Sequence, residues 1–240
     1  SSTGYGARWG VLMLGSSAAA AIALSGTHLL ESAPALTVSG LGSVQADGVF
    51  IARSSSDPLI LVESGNAAEL VVRNSHLQNG SGCAHLYPSS ATVSFSNVSF
   101  ADCEEQGIWA QQVNVKFNDL TIGAGMDWGL ELTGVSGAVN GVSATQFDGT
   151  GAIVSLNSQP SGFALTDVVG RVSGQAGITG DNNLDIALER IVLDGAPGID
   201  VDRTSGLFSE ITLLGNGTGI GFISHHGRSS DALVVEDLDV

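Results

Sequence analysis

The chain has 240 residues and a formal net charge of −16, because 24 Asp and Glu residues face only 8 Lys and Arg residues. An acidic surface of this kind repels nucleic acid and anionic lipid, which argues against both as partners, and it suits divalent cations and high ionic strength. Gly supplies 33 residues and aromatic residues only 5%, so we predict many tight turns around a core of Val, Ile, Leu and Ala.

The first apolar segment, residues 10–26, reads "GVLMLGSSAAAAIALSG". It is short for a membrane span, Gly and Ser interrupt it, and the residues before it carry one Arg and no Lys. We therefore expect this segment to belong to the repeat described next and not to insert into a membrane. Neither end of the sequence shows a clear cap, so we expect the chain to be part of a longer one.

A short motif recurs along the whole chain: Gly-Ile, or a variant of it, with a second apolar or small residue two places on. It occurs as "GIWA" (107), "GLEL" (129), "AIVS" (152), "GITG" (177), "GIDV" (198) and "GIGF" (219). Looser matches continue it upstream as "GVLML" (10), "ALTV" (35), "LILV" (59) and "AHLY" (84). The spacing of roughly 21 to 25 residues divides the chain into ten units, with no linker between them.

Within each unit, apolar residues alternate with polar ones in three short segments, such as "GIDV", "GLFS" and "EITLL" in the unit from 198. Alternation with period two is the strand pattern, and Gly, Asn, Asp and Ser between the segments are typical of turns. A hairpin sandwich does not require three strands in every repeat over ten units. We therefore predict an all-β fold: one right-handed parallel β-helix (β-solenoid) over residues 1–240, with about ten coils of roughly 21–25 residues.

This pattern resembles the right-handed parallel β-helix repeat proteins of the pectin-lyase-like superfamily, and the resemblance covers nearly the whole chain. It implies coils stacked about 4.8 Å apart, so that inward side chains form one continuous apolar column. We expect the following residues to lie one above another in that column: Ile108, Leu130, Ile178, Ile199 and Ile220. Such a repeat is specific for architecture and indicates little about chemistry.

The two cysteines, Cys83 and Cys103, are separated in the sequence by nearly the length of one coil. An even pair in a Lys-poor chain favours a disulfide, although buried free thiols would also fit. Stacking of adjacent coils would bring the two residues near each other, so we predict a disulfide that staples two coils together.

Three Asn-x-Ser/Thr sequons begin at Asn79, Asn97 and Asn216, all near predicted turns. A glycan attached at such a turn would indicate a surface location in a secreted protein. In a chain rich in Ser and Thr, three sequons also arise by chance, so they support a surface location only mildly.

Aromatic residues are few, which makes Trp109 and Trp128 the candidate ligand-binding residues. Trp109 occupies an outward position in its coil, and Trp128 lies just before the following coil. Together they would make an aromatic patch on which sugar rings can stack, and the alternative is packing against a loop or a partner chain. His28, His76 and His85 are isolated and show no informative spacing.

The stretch "GIDVDRTSG", residues 198–206, contains the most prominent cluster of acids. Strand alternation directs Asp200 and Asp202 outward. The preceding coil places Thr179 next to Asp200 and Asp181 next to Asp202, and Glu131 lies further along the same row. The sequence therefore predicts three carboxylates from two adjacent coils on one outer face.

On the next coil, the same row is predicted to continue at Gly221 and Ile223, followed by His225 and His226 in "SHHGRSS". Two exposed histidines can bind a transition metal. Because no third ligand is visible in the sequence, we favour the interpretation that both histidines are turn residues.

The acids Asp181, Asp200 and Asp202 are candidate ligands for calcium, which prefers hard oxygen donors. In the lyases that this fold resembles, a calcium ion neutralises a uronate while a nearby Arg or Lys removes a proton. In the related hydrolases, paired aspartates act as acid and base on a sugar bond. A solvated acidic surface is the third interpretation, and no cofactor other than calcium is indicated.

The resemblance makes Arg203 the nearest candidate for the base of a lyase, together with Arg190 and Arg228. Other features weigh against catalysis: the hydrolase segments "NTD", "DD", "GHG" and "RxK" do not occur, and "HHGR" (225–228) is only a distant match to the third. Lys116 is the only lysine of the chain, so the basic signature of the lyases is missing as well.

Uniform coils, an acidic Lys-poor surface and the lack of an active-site signature favour an extracellular or cell-surface module with a structural or adhesive role. An envelope layer, a filament, an adhesin or a spike would fit, without catalysis of its own. The alternative is a polysaccharide lyase or glycoside hydrolase that acts on extracellular glycans. Expected partners are further copies of the chain, neighbouring domains or a polysaccharide.

Overall fold

The structure is a computed structural model that describes residues 11–30, 34–54, 57–63, 69–171, 176–195, 198–215, 223–227 and 232–240. All regular elements in these ranges are β-strands. Their bounds are β1 Val11–Ser25, β2 His28–Leu30, β3 Leu36–Asp47, β4 Phe50–Ala52, β5 Ile60–Val62, β6 Glu69–Gln78, β7 Ala84–Leu86, β8 Thr92–Ala101, β9 Gln106–Gln111, β10 Asn114–Ile122, β11 Trp128–Thr133, β12 Ser136–Ala144, β13 Val154–Asn157, β14 Ala164–Arg171, β15 Ile178–Asp181, β16 Ile186–Asp194, β17 Ile199–Asp202, β18 Gly206–Leu214, β19 Ile223–His226 and β20 Leu233–Asp239. Within the same ranges, no helix has the length and apolar character needed to span a bilayer.

The strands pair only in parallel, and each pairs with strands of the neighbouring coils. Short strands form one ladder, in the order β5, β7, β9, β11, β13, β15, β17 and β19. Long strands form the other, from β6 through the even-numbered strands to β20. The chain is therefore a parallel β-solenoid, as predicted, and the right-handed sense stays a prediction.

Each even-numbered strand from β6 to β20 bends at a residue with a positive φ partway along it, so a coil there has three straight segments. The bend residue is Asn97 in β8, Asp119 in β10 and Asp167 in β14, with φ of 54°, 53° and 57°. Asn and Asp adopt this left-handed conformation more readily than most residues. In β8 the burial pattern resets at the bend, where two successive side chains face outward. The three alternating segments predicted for each unit are thus one short strand and the two halves of a long one.

The predicted apolar column is confirmed where the structure describes it. The register joins Ile108 to Leu130, and it continues through Val154 and Ile178 to Ile199. All five side chains are fully buried. The same ladder runs from Val11 to Ile223 with one partner in each coil, in agreement with the repeat seen in the sequence.

One residue of the predicted column, Ile220, is not described, and one of the repeat matches is shifted in register. In the "AIVS" match at 152, the residue in the column is Val154, two places after the start of the match, whereas Ile108 stands one place after the start of "GIWA". Ile220 lies outside the described residues, and the partner of Ile199 is Ile223. The register differs there because residues 215–222, which connect β18 to β19, outnumber residues 195–198, which connect β16 to β17.

Aromatic side chains fill the centre of the core. Phe95 and Phe117 occupy equivalent positions on adjacent coils and stack with ring centroids 5.2 Å apart. Phe100 lies 6.2 Å from Phe95 by the same measure. All three are essentially inaccessible to solvent, and burying each stabilises the fold by roughly 1.5–3 kcal/mol relative to an exposed position.

Buried polar side chains stack at the corner between the short and the long strands. We call this set the polar ladder: Gln159, Asn183 and Thr204, with at most 1% exposure each. The Asn183 amide accepts from the Gln159 backbone N–H at 2.9 Å and donates to the Leu156 carbonyl at 3.0 Å and to Thr204 Oγ1 at 3.2 Å. The ladder satisfies buried backbone groups beside the ends of β13, β15 and β17 and so fixes their positions.

Cys83 and Cys103 form a disulfide with a Cα–Cα distance of 5.6 Å, as predicted. Cys83 immediately precedes β7, and Cys103 lies between β8 and β9. The bond therefore closes one coil at the corner that leads into the short strands. A disulfide of this kind is favoured in a non-reducing environment.

We expect the double variant Cys83→Ala/Cys103→Ala to lose about 3 kcal/mol of unfolding free energy, because the disulfide joins residues separated by 20 positions and closes the loop between them. Chemical denaturation of both proteins measures the difference. Dithiothreitol should lower the stability of the wild type to that of the variant and leave the variant unchanged. Equal stability of the oxidised wild type and the variant would contradict the expectation.

Candidate ligand-binding face

The outward side chains of the short strands form one continuous surface, which we call the front face. Two columns run along it because outward residues alternate with buried ones on each strand. The first column contains His85, Trp109, Glu131, Ser155, Thr179, Asp200 and Ser224. The second contains Gln111, Thr133, Asn157, Asp181, Asp202 and His226.

The predicted acid cluster lies at one end of the front face. The register pairs Thr179 with Asp200 and Asp181 with Asp202, as predicted, and places Glu131 in the column of Asp200. We call Asp181, Asp200 and Asp202 the acidic patch. These side chains line an open depression of about 290 Å³ together with Asn157, Thr179, Gly180 and His226.

Arg203, the predicted candidate for the base of a lyase, is paired with two carboxylates of the acidic patch. Its Nη2 lies 2.7 and 2.8 Å from the two carboxylate oxygens of Asp181, and its Nε lies 3.4 Å from Asp202 Oδ2. The guanidinium is thus shared between two carboxylates of adjacent coils. The geometry gives Arg203 the role of a counter-ion, and nothing in it prepares the side chain to accept a proton.

The histidines beyond the patch lie on a strand, so their prediction as turn residues is wrong. His225 and His226 belong to β19, and the register pairs Asp200 with Ser224 and Asp202 with His226. The predicted continuation at Gly221 and Ile223 is thus displaced toward the C-terminus. The longer connection before β19 accounts for this shift.

The two histidines have different partners. His226 Nε2 lies 2.8 Å from Ser224 Oγ and 3.8 Å from Asp200 Oδ1 on the front face. His225 points the other way, and its Nε2 lies 3.0 Å from the Thr204 carbonyl, to which it donates. Only His226 therefore belongs to the surroundings of the acidic patch.

In the described part of the chain, no group of three His, Cys, Asp or Glu side chains is arranged to hold a metal ion. The acidic patch itself is partly neutralised by Arg203. Calcium at Asp181, Asp200 and Asp202 stays a prediction for which this geometry gives no support.

Three aromatic rings meet on the front face four coils away from Asp200. We call His85, Tyr87 and Trp109 the aromatic corner. The Trp109 ring lies 5.1 Å from Tyr87 at an interplanar angle of 69°, and 5.8 Å from His85 at 60°. The rings therefore meet edge to face, an arrangement that aromatic pairs favour.

Trp128, the second predicted ligand residue, is placed differently. It begins β11, and its indole covers Gly151, where a Cβ atom would lie 2.3 Å from the ring. No ring contact joins it to Trp109 among the described residues. The signal for the true neighbours was present in the sequence, since His85 precedes Trp109 by the length of one coil.

Polar groups surround the aromatic corner. His85, Tyr87 and Trp109 line a depression of about 220 Å³ together with Glu105 and Gln106. Gln106 donates from Nε2 to Glu131 Oε2 at 3.3 Å. In the described structure, the buried atoms His85 Nε2 and Gln106 Oε1 have no hydrogen-bond partner in good geometry. Burial lowers the pKa of His85 from its ordinary value of 6.5, and the nearby Gln106 and Glu105 side chains partly offset this.

Arg190 lies away from the front face, at the bend of β16. Its Nε and Nη2 lie 2.7 and 2.8 Å from the two carboxylate oxygens of Asp167, and its Nη1 contacts Glu189. The hydrogen bond lowers the pKa of Asp167 and raises that of Arg190. Arg228, the remaining candidate base, lies outside the described residues.

Asn79 and Asn97 are exposed residues in the left-handed conformation; Asn79 directly follows β6, whereas Asn97 lies within β8 at its bend. Asn97 donates from Nδ2 to Asn74 Oδ1 at 2.9 Å, which forms a surface contact between adjacent coils. Asn216 lies outside the described residues. Attachment of a glycan at any of the three stays a prediction.

No protein-family model, no curated protein and no solved structure matches this chain. The parallel β-solenoid is therefore established by the strand register itself.

We expect His85 to make the protein less stable as the pH falls below about 6.5. The unfolded chain binds a proton near that value and the folded chain only at lower pH, so the unfolding free energy decreases as the pH falls through 6.5. An NMR titration of the His85 ring protons gives its pKa directly. The His85→Gln variant should lose less stability than the wild type between about pH 8 and about pH 5. A ring that titrates at or above its ordinary value would contradict this.

We expect Arg203→Gln to change the unfolding free energy by no more than about 1 kcal/mol, since exposed ion pairs contribute little. The Arg203 and Asp181 side chains are 41% and 47% exposed. Urea denaturation of Arg203→Gln, Asp181→Asn and the double variant gives the coupling energy of the pair. A loss of several kcal/mol in either single variant would show that the pair is structurally essential.

Proposed function

We propose that this chain is a structural or adhesive β-solenoid module of an extracellular or cell-surface protein. The observation that carries the proposal is the column from Val11 to Ile223, which has one register partner in every coil, together with a disulfide between adjacent coils. Nine register steps at about 4.8 Å give a rod roughly 43 Å long. A stapled rod of this kind suits a role in spacing or display outside the cell.

The side chains of the front face are better suited to binding a partner than to catalysing a reaction. Arg203 is paired with Asp181, which makes it unsuitable as the base of a lyase. The two depressions on this face, at the acidic patch and at the aromatic corner, are small and open. Polar and aromatic side chains on a rigid scaffold can hold a partner without enclosing it.

We also propose a distant relationship to the pectin-lyase-like superfamily. Parallel coils of nearly constant length and a polar face on one ladder support it. This relationship keeps a polysaccharide lyase or glycoside hydrolase as the second candidate function. The acidic patch favours that candidate, since Asp200 and Asp202 project from one strand beside His226.

Extracellular placement, self-association, neighbouring domains and a polysaccharide partner belong to the same proposal. The disulfide supports placement outside a reducing compartment. The net charge of −16 argues against nucleic acid as a partner. An antibody against the solenoid should label unpermeabilised cells or the culture medium of the source organism. Labelling that requires permeabilised cells would contradict the proposed location.

We expect no turnover of uronate or neutral polysaccharides by the wild-type protein, with or without calcium. Release of reducing ends or unsaturated products measures turnover. Asp202→Ala tests the acidic patch, and Glu69→Ala serves as the control because Glu69 is an exposed acid at the start of β6, several coils away. Turnover that persists in Glu69→Ala and disappears in Asp202→Ala would establish the enzyme and overturn the structural module.

A further inference from the structure

We propose that the aromatic corner is a binding site for an uncharged sugar residue of a glycan. This inference deepens the proposed adhesive function and rests on it, because it names the ligand class and the surface that contacts it. The site consists of His85, Tyr87 and Trp109, with Glu105 and Gln106 at its rim. Trp128, which the sequence pairs with Trp109, takes no part.

The ring geometry provides two apolar surfaces that meet at an angle. Trp109 and Tyr87 lie 5.1 Å apart at 69°, so a flat ligand resting on one ring meets the edge or face of the other. Tyr87 is 38% exposed and Trp109 is partly exposed, so both rings are accessible to a ligand. A pyranose ring has apolar C–H faces and a polar edge, and it matches such a corner.

The rim supplies hydrogen-bonding groups for the polar edge of a sugar. Glu105 is exposed, and Gln106 and Glu131 are half-buried next to the rings and bonded to each other. Carboxylates accept from hydroxyl groups, while the Gln106 amide can donate and accept. Hydroxyl groups act as both donors and acceptors, and so fit a rim of this mixed character.

The site rests on a rigid base. His85 and Trp109 are paired in register between β7 and β9, and the disulfide closes the corner immediately before β7. The His85 ring also lies against Gly82, where a Cβ atom would be 2.3 Å from Nε2. Only glycine fits under the ring without displacing it. Rigid aromatic anchors lose little conformational entropy when a ligand binds.

The negative charges around the aromatic corner favour an uncharged sugar over an acidic one. Glu105 and Glu131 lie beside the rings, and the whole chain carries a net charge of −16. In the described residues lining the depression there is no Lys or Arg to neutralise a uronate. The volume of about 220 Å³ is below the roughly 300–1,000 Å³ typical of enclosed drug-sized ligands, so the corner suits one sugar ring of a longer chain.

The test is calorimetric titration of the wild-type protein with named oligosaccharides. The neutral panel contains cellohexaose, laminarihexaose, mannohexaose and chitohexaose, and hexagalacturonate is the acidic comparison. We expect at least one neutral oligosaccharide to bind more tightly than hexagalacturonate. Failure of every neutral member to bind at millimolar concentration overturns the inference, and so does preferential binding of hexagalacturonate.

Single substitutions test whether the sugar binds at the aromatic corner. Trp109→Ala should weaken binding by about tenfold or more, as expected for loss of a central aromatic contact. Tyr87→Ser, at a more exposed position, should weaken it without disturbing the core, and keeps the test decisive if Trp109→Ala does not fold. Leu184→Ala removes a 63% exposed apolar side chain on a different coil and should bind like the wild type. Unchanged affinity in both corner variants overturns the assignment.

These outcomes are independent of the test of the proposed function. Glycan binding that depends on Trp109, together with turnover that depends on Asp202, would keep the aromatic corner and overturn the structural module. Conversely, labelling of the cell surface without any glycan binding would keep the surface module and overturn the ligand assignment.

Discussion

Backbone hydrogen bonding between neighbouring coils is the constraint on which the rest of the structure depends. The coils differ slightly in length, yet each short strand from β5 to β19 still pairs with its neighbours residue by residue. Additional residues are therefore accommodated in the connections, where they do not disturb the ladders. Because side chains alternate along each strand, this one constraint determines which residues enter the core and which reach the front face.

The fold could be predicted from the sequence because the repeat and the period-two pattern agree over many coils. Register was less certain where either signal was weak. Residues 151–156 are all buried, so the apolar pattern there lacks the alternation that separates Ile153 from Val154. At the last short strand the connection is longer, and only the hydrogen bonds show that Ile223 follows Ile199.

The sequence was sufficient to predict which residues share a column on the front face, but not which side chains bond to each other. Coil spacing was sufficient to place Asp181 beside Asp202, whereas the pairing of Arg203 depends on its left-handed backbone, with φ of 44°. The aromatic corner could not be recognised from coil spacing alone. His85 and Trp109 are one coil apart in the sequence, but their proximity has meaning only once the register between β7 and β9 is known.

The position of the Cys83–Cys103 bond has a mechanical consequence. Tension along the rod axis would unwind the solenoid coil by coil, since the described strands of each coil pair with those of the neighbouring coils. The disulfide prevents residues 83–103 from extending in this way. The fully stretched chain is therefore shorter by about 70 Å than it would be without the bond. His85 and Tyr87 lie inside this loop, so two of the three rings of the aromatic corner are on a segment that cannot extend under load, while Trp109 follows the loop on β9.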